Sequence, residues 1–135
     1  MLKFVRNLYN CLILNKKPIG KRTTPLENTI QKSVVNYIKY AYPTALYCAS
    51  AGGVRTSFKQ AVKMKATGYV KGFPDLFIYE ARHGFNGLAI ELKTDKGVAS
   101  PEQKQWQKNL IERGYSAHIC KGFDAAIEVI DAYLK

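Results

Sequence analysis

Residues 72–93 read GFPDLFIYEARHGFNGLAIELK, and the fold turns on how this stretch is parsed. Asp75 to Tyr79 and Leu88 to Lys93 are rich in β-forming side chains, and His83-Gly84-Phe85-Asn86-Gly87 between them is turn chemistry. The spacing predicts a hairpin. Within its second strand Leu88, Ile90 and Leu92 point to one face, and Ala89, Glu91 and Lys93 to the other. Glu91 and Lys93 are then neighbours, about 6.6 Å apart along the strand. A hairpin folded about His83 sets Asp75 opposite Glu91, and two carboxylates side by side repel unless a cation lies between them.

Outward from the hairpin the chain alternates helix and strand. Thr24-Pro25-Leu26-Glu27 suits a helix start, with Thr24 as N-cap, Pro25 at the first position and Glu27 at the third. Leu26, Ile30, Val34, Tyr37 and Ile38 then recur at helical spacing until Tyr42-Pro43 ends the helix. Leu46 to Ser50 reads as a short strand and Ala51-Gly52-Gly53 as a turn. Thr56 to about Thr67 is a basic helix ending at Gly68, with Phe58, Val62 and Met64 on its expected packed side. After the hairpin, Ser100-Pro101-Glu102-Gln103 has the form of a capping box and starts a helix through Trp106, Leu110 and Ile111 to Gly114. Tyr115 to Cys120 alternates as a strand, and Asp124 is the expected cap of a last helix through Ile127, Ile130 and Leu134. This alternation predicts an α/β fold, a mixed sheet of about four strands flanked by helices.

The chain has 135 residues, which suits one core. At 47% hydrophobic and 23% charged it has the composition of a globular domain, not of a disordered or fibrous chain. Its net charge is +11, and that charge is local: residues 1–74 hold 13 basic side chains against the single acid Glu27, whereas residues 75–135 hold 8 basic and 9 acidic. Such a field favours a polyanion. Residues 1–22, with six basic groups and no acid, read as a basic arm ahead of a domain spanning 23–135. The run Cys11 to Leu14 is too short for a signal peptide, and no stretch approaches the ~20 apolar residues of a membrane span. Three scattered cysteines, Cys11, Cys48 and Cys120, lack the spacing of zinc or disulfide frameworks. A cytoplasmic protein is the expectation.

Two adjacent carboxylates are hard oxygen ligands that suit Mg2+ or Mn2+, ions that keep several waters and also bind phosphate oxygens. A lysine beside them is placed to hold water or to stabilise transition-state charge, and phosphodiester hydrolysis is the chemistry implied. Gly72-Phe73-Pro74-Asp75-Leu76 followed by Glu91-Leu92-Lys93 resembles the PD-(D/E)XK nuclease motif. Within that superfamily, the upstream Glu27 and downstream Ser100-Pro101-Glu102-Gln103 are similar to the VRR-NUC domain, the virus-type replication-repair nuclease, from about Leu26 to Tyr133. The resemblance implies a restriction-endonuclease-like core in which Asp75, Glu91 and the backbone carbonyl of Leu92 ligate the metal. By the same resemblance Lys93 is the catalytic lysine, Glu27 an acid near the metal's water and Gln103 the active-site glutamine. It also implies a homodimer acting on branched DNA, as Holliday-junction resolvases do in DNA repair.

Arg55, Lys59, Lys63 and Lys65 on the basic helix are candidate phosphate contacts, because no acid intervenes to neutralise them. Each candidate has a plainer account. Glu27 and Gln103 would complete helix caps without any site, Glu91 and Lys93 would form the polar face of an edge strand, and the basic helix would be a solvated face. His83 and His118 have no second histidine at ligand spacing and are expected to be structural. A restriction-type or flap nuclease of the same superfamily, or a DNA-binding module without activity, are the competing functions. A membrane binder is disfavoured, since no segment joins a strong apolar face to a basic one.

Overall fold

In a computed structural model of the chain, residues 26–50 and 56–135 are described. The expectations for the arm 1–22 and for Thr24, Pro25, Cys11, Gly52, Gly53 and Arg55 lie outside them. Among the described residues the order is α1 (Glu27–Ala41), β1 (Tyr47–Ala49), α2 (Phe58–Ala66), β2 (Leu76–Ile78), β3 (Leu88–Lys93), α3 (Pro101–Glu112), β4 (Ser116–Lys121) and α4 (Gly122–Leu134). The four strands form one sheet in the order of the chain. β1 with β2 and β2 with β3 pair antiparallel, whereas β3 and β4 run parallel, with α3 as the crossover that a parallel pair requires. The mixed α/β architecture is the one the alternation of elements predicts.

Leu76, Phe77 and Ile78 pair with Ile90, Ala89 and Leu88, so the hairpin folds about His83, which itself has φ 53°. One step before β2, Asp75 comes alongside Glu91. Because side chains alternate, Leu76, Ile78, Leu88, Ile90 and Leu92 share one face of the sheet, which packs on Val34, Tyr37 and Ile38 of α1 and Ile127 and Ile130 of α4. The other face presents Phe77, Ala89 and Ala117 to Leu110 of α3, with Phe73, Trp106 and Tyr115 packed alongside. Each large aliphatic side chain removed from water in this way contributes roughly 1.5–3 kcal/mol before entropic costs. All six residues of β3 are buried, as befits a central strand covered on both sides. The edge-strand account of Glu91 and Lys93 is therefore wrong.

Gly72 fixes where the strand entering the site meets α3. Its φ is +88°, and a Cβ there would lie 2.7 Å from the Glu102 carbonyl carbon and 2.9 Å from the Gln103 nitrogen. Only glycine allows that backbone conformation and that approach.

Four local expectations fail. Helix α1 begins at Glu27 with Leu26 at the N-cap and no side-chain cap, so Glu27 is not the third residue of a box with Thr24. Helix α4 begins at Gly122 after Lys121, leaving Asp124 inside the first turn instead of at the cap. Strands β1 and β2 are three residues each, shorter than their β-forming runs. Finally, α2 buries nothing: Phe58 is 84% and Val62 51% exposed, so the expected packed side faces solvent. No helix among the described residues is long and apolar enough to cross a membrane.

Candidate active site

Where the carboxyl end of β3, the start of β2 and the N-termini of α1 and α3 converge, a pocket of about 210 Å3 opens. Glu27, Asp75, Glu91, Lys93 and Gln103 all line it. Five residues scattered over 77 positions of sequence thus meet because β3 is central and the ends of two helices flank it.

Glu91 and Lys93 sit on the α3 side of β3 and are 5% and 6% exposed. Lys93 Nζ donates to Glu91 Oε1 at 2.9 Å and lies 3.4 Å from Glu27 Oε1. Gln103 Nε2 donates a short hydrogen bond to the same Glu91 Oε1. Both donors therefore fall on one oxygen. Glu91 Oε2 is buried and has no hydrogen-bond partner, a costly arrangement for an isolated carboxylate.

The orientation of Gln103 follows from the start of its helix. Ser100 Oγ accepts from the Gln103 backbone N–H at 3.2 Å, and Gln103 Oε1 accepts from the Ser100 N–H at 2.8 Å. With the amide oxygen committed to the cap, the amide nitrogen is left for Glu91. The capping account and the site account of Gln103 hold together, and one side chain serves both.

Asp75 is held from the other side. Its Oδ2 accepts the Leu92 N–H at 2.8 Å, and its carbonyl accepts the Ser50 N–H at 2.8 Å. Leu92 itself turns its side chain into the core, 1% exposed, and only its backbone is at the site. Glu27 is half exposed, at the mouth.

The electrostatics follow from crowding acids in a confined space. Burial pushes the Glu91 carboxyl up to about 7, against the Lys93 hydrogen bond and with the Asp75 charge. Burial also raises Asp75, opposed by the Leu92 N–H and by Lys93. Burial alone would lower Lys93, but Glu91 and Glu27 outweigh it and hold the ammonium above its ordinary range. Three carboxyls thus share one ammonium, an arrangement that favours additional positive charge.

Among the described residues no group of three or more His, Cys, Asp and Glu side chains forms a metal cage. A magnesium-type ion needs less, since one or two carboxylates plus water and phosphate suffice. The Asp75 and Glu91 pair, with a buried carboxylate oxygen lacking any donor, fits such an ion.

Not all candidates converge. Lys59, Lys63 and Lys65 are exposed on α2, away from the pocket walls, and Arg55 lies outside the described residues. His83 contacts the Tyr133 carbonyl and His118 pairs with Ser116, and neither lines this pocket. Sequence reading missed three pocket residues: Ser50, Tyr69 and Lys71. Only proximity to Asp75 in the chain hinted at the last two; Ser50 carried no signal.

A family model described as the VRR-NUC domain matches residues 18–124. Among solved structures, one titled "VRR_NUC domain protein" superposes with a TM-score of 0.69 at 32% identity, covering 85% of this chain and 91% of that one. Another, titled "VRR_NUC domain", gives 0.49 at 19% identity over 76% and 95% of the two chains. No curated protein matches the chain.

Proposed function

The chain belongs to the VRR-NUC domain family, a nuclease domain, and from that premise we propose that it is an Mg2+- or Mn2+-dependent endodeoxyribonuclease. The observation that carries the reading is the lopsided Glu91 carboxylate, with Lys93 and Gln103 both on Oε1 and none on a buried Oε2. Gln103 and Lys93 hold Glu91 in place, and Oε2 is left as a ligand atom beside Asp75. Asp75, Glu91 and the Leu92 carbonyl would hold the ion. When bound, the ion neutralises phosphate charge and lowers the pKa of water.

The remaining roles belong to the chain. Lys93, with a flexible ammonium of three donors, orients the attacking water or donates to a phosphate oxygen as charge builds there. Glu27, at the mouth, accepts a hydrogen bond from that water. Water adds to phosphorus and gives up a proton to solvent, the bridging P–O bond breaks, and the departing oxygen takes a proton from solvent. Lys59, Lys63, Lys65 and Arg55 hold the phosphate backbone, and contacts of this kind position DNA without reading its sequence.

The substrate we propose is branched DNA such as a four-way junction. Each pocket cuts one strand, so paired incisions across a junction take two copies of the chain, a homodimer. A flap-cutting or restriction-type enzyme would share the same pocket. The test incubates labelled single-stranded, duplex, flap and four-way DNA with the protein in Mg2+, Mn2+ or EDTA. Cleavage is expected with either metal and none in EDTA, with Asp75→Ala and Glu91→Ala inactive but still binding DNA. Cleavage by Asp75→Ala at the wild-type rate, or in EDTA, sinks the mechanism; binding without cleavage in any metal identifies a DNA-binding module instead.

A further inference from the structure

Beside the active-site pocket runs a second and larger concavity, about 640 Å3, between α2 and the segment Tyr69 to Lys71. Its volume is within the roughly 300–1,000 Å3 of sites that take small organic ligands. Ala61, Met64 and Val70 supply apolar surface, and Lys65 and Lys71 bring cations to it. Tyr69 and Lys71 line this groove and the active-site pocket alike, so the two adjoin. Tyr69 is half-buried, its position set by a bond from its N–H to the Met64 carbonyl at 2.9 Å.

We propose that this groove is a subsite for an unpaired nucleobase next to the scissile phosphate. The inference rests on the nuclease reading above and extends it to substrate selection. An apolar slot with an aromatic wall suits the flat face of a base, and every base has such a face. Cations on the same wall suit the phosphates on either side of it: Lys65 and Lys71. Lys71 also pairs with Glu102 at 2.8 Å. A base within an intact duplex is stacked and paired and does not enter a slot of this kind, whereas an unpaired base at a flap, gap or opened branch point enters without that cost. The groove therefore favours substrates with an unpaired nucleotide beside the cut.

Ala61→Trp fills the groove from the exposed face of α2, and Ala61→Ser leaves it open as a control. Binding is measured in EDTA, where the nuclease reading expects no cleavage, to DNA carrying 2-aminopurine at an unpaired branch nucleotide or within a full duplex. Wild type and Ala61→Ser are expected to change 2-aminopurine fluorescence at the branch only. Ala61→Trp is expected to abolish that change and to weaken branch binding about tenfold, in the range of one base–aromatic stack, with duplex binding within about twofold. Thermal melting checks that the variant is folded, and Tyr69→Ala provides a second, independent loss of the stack. Equal loss on both DNAs, or none on either, overturns the proposal. So does a halved mass of Ala61→Trp in sedimentation, which assigns the groove to a second copy of the chain. A fluorescence change at the branch in a protein that never cleaves leaves the groove standing and removes the nuclease reading; cleavage with no groove effect does the reverse.

Discussion

Helix α2 opens on Ser57 and Gln60, helix α3 on Ser100 and Gln103, and in both the reciprocal box closes. Ser57 Oγ accepts from the Gln60 N–H at 3.3 Å while Gln60 Oε1 accepts from the Ser57 N–H at 3.0 Å, matching the 3.2 and 2.8 Å of the second pair. From there the two helices diverge. Helix α3 buries Leu110 against the sheet, and its capping glutamine reaches Glu91. Helix α2 buries nothing, and its glutamine is exposed. The same four-residue device is structural in one place and part of the candidate catalytic pocket in the other. What separates them is whether an acidic strand end stands within reach of the free amide.

The sharpest way to break this comparison is to remove one lysine from each region. Lys93→Met is expected to lower the cleavage rate about 10²–10³-fold, the scale of one charge-stabilising donor, with DNA affinity nearly unchanged. Lys63→Met on α2 is expected to leave the rate at saturating DNA intact. Single-turnover kinetics separates the two, and a comparable rate loss in both would remove the distinction.

Stability draws the same line. Leu110→Ala empties a buried contact and is expected to cost about 2–5 kcal/mol in urea unfolding, whereas Phe58→Ser is expected to fall within about 0.5 kcal/mol. A large loss with Phe58→Ser would mean that the exposed side of α2 is covered in solution.

The glutamines sharpen it further. Gln103→Ala and Gln60→Ala each remove half of a box, and each is expected to cost roughly 1 kcal/mol of stability, as cap losses do. Only Gln103→Ala is expected to lower cleavage as well, about 10–100-fold, the effect of losing a partner that orients a ligand carboxylate. The smallest expected change is in the salt dependence of binding: Lys63→Met should reduce the slope of log affinity against log salt by about 0.9, one phosphate contact.

Much of this was legible in the chain. The Leu88–Lys93 strand, its alternation and the turn at His83 are local patterns, and they placed Asp75 beside Glu91 because a hairpin has one register once its turn is known. The Ser100 to Gln103 box was legible for the same reason. The box at Ser57 went unread inside a basic stretch, and the helix anticipated from Thr24 begins at Glu27 with Leu26 at its N-cap. A capping motif states only that a helix can start there; neighbouring contacts choose among candidate starts. Likewise Phe58, Val62 and Met64 carry a helical apolar spacing, yet spacing does not say whether anything packs against it. Nothing local marked Ser50, whose N–H reaches the Asp75 carbonyl only through the pairing of β1 with β2.

By itself the sequence determined the alternation of elements, the hairpin, the charge imbalance and the residue types of an acid–acid–lysine cluster. These depend on periods of two and 3.6 residues and on counts, which need no partner. Only the tertiary structure decided that β3 is central, that Lys93 and Gln103 both bond the same oxygen of Glu91, and that the basic helix stands off the core beside a groove. Those outcomes depend on which surfaces of distant segments meet, and burial, which makes an unpaired carboxylate oxygen costly, exists only once they have met.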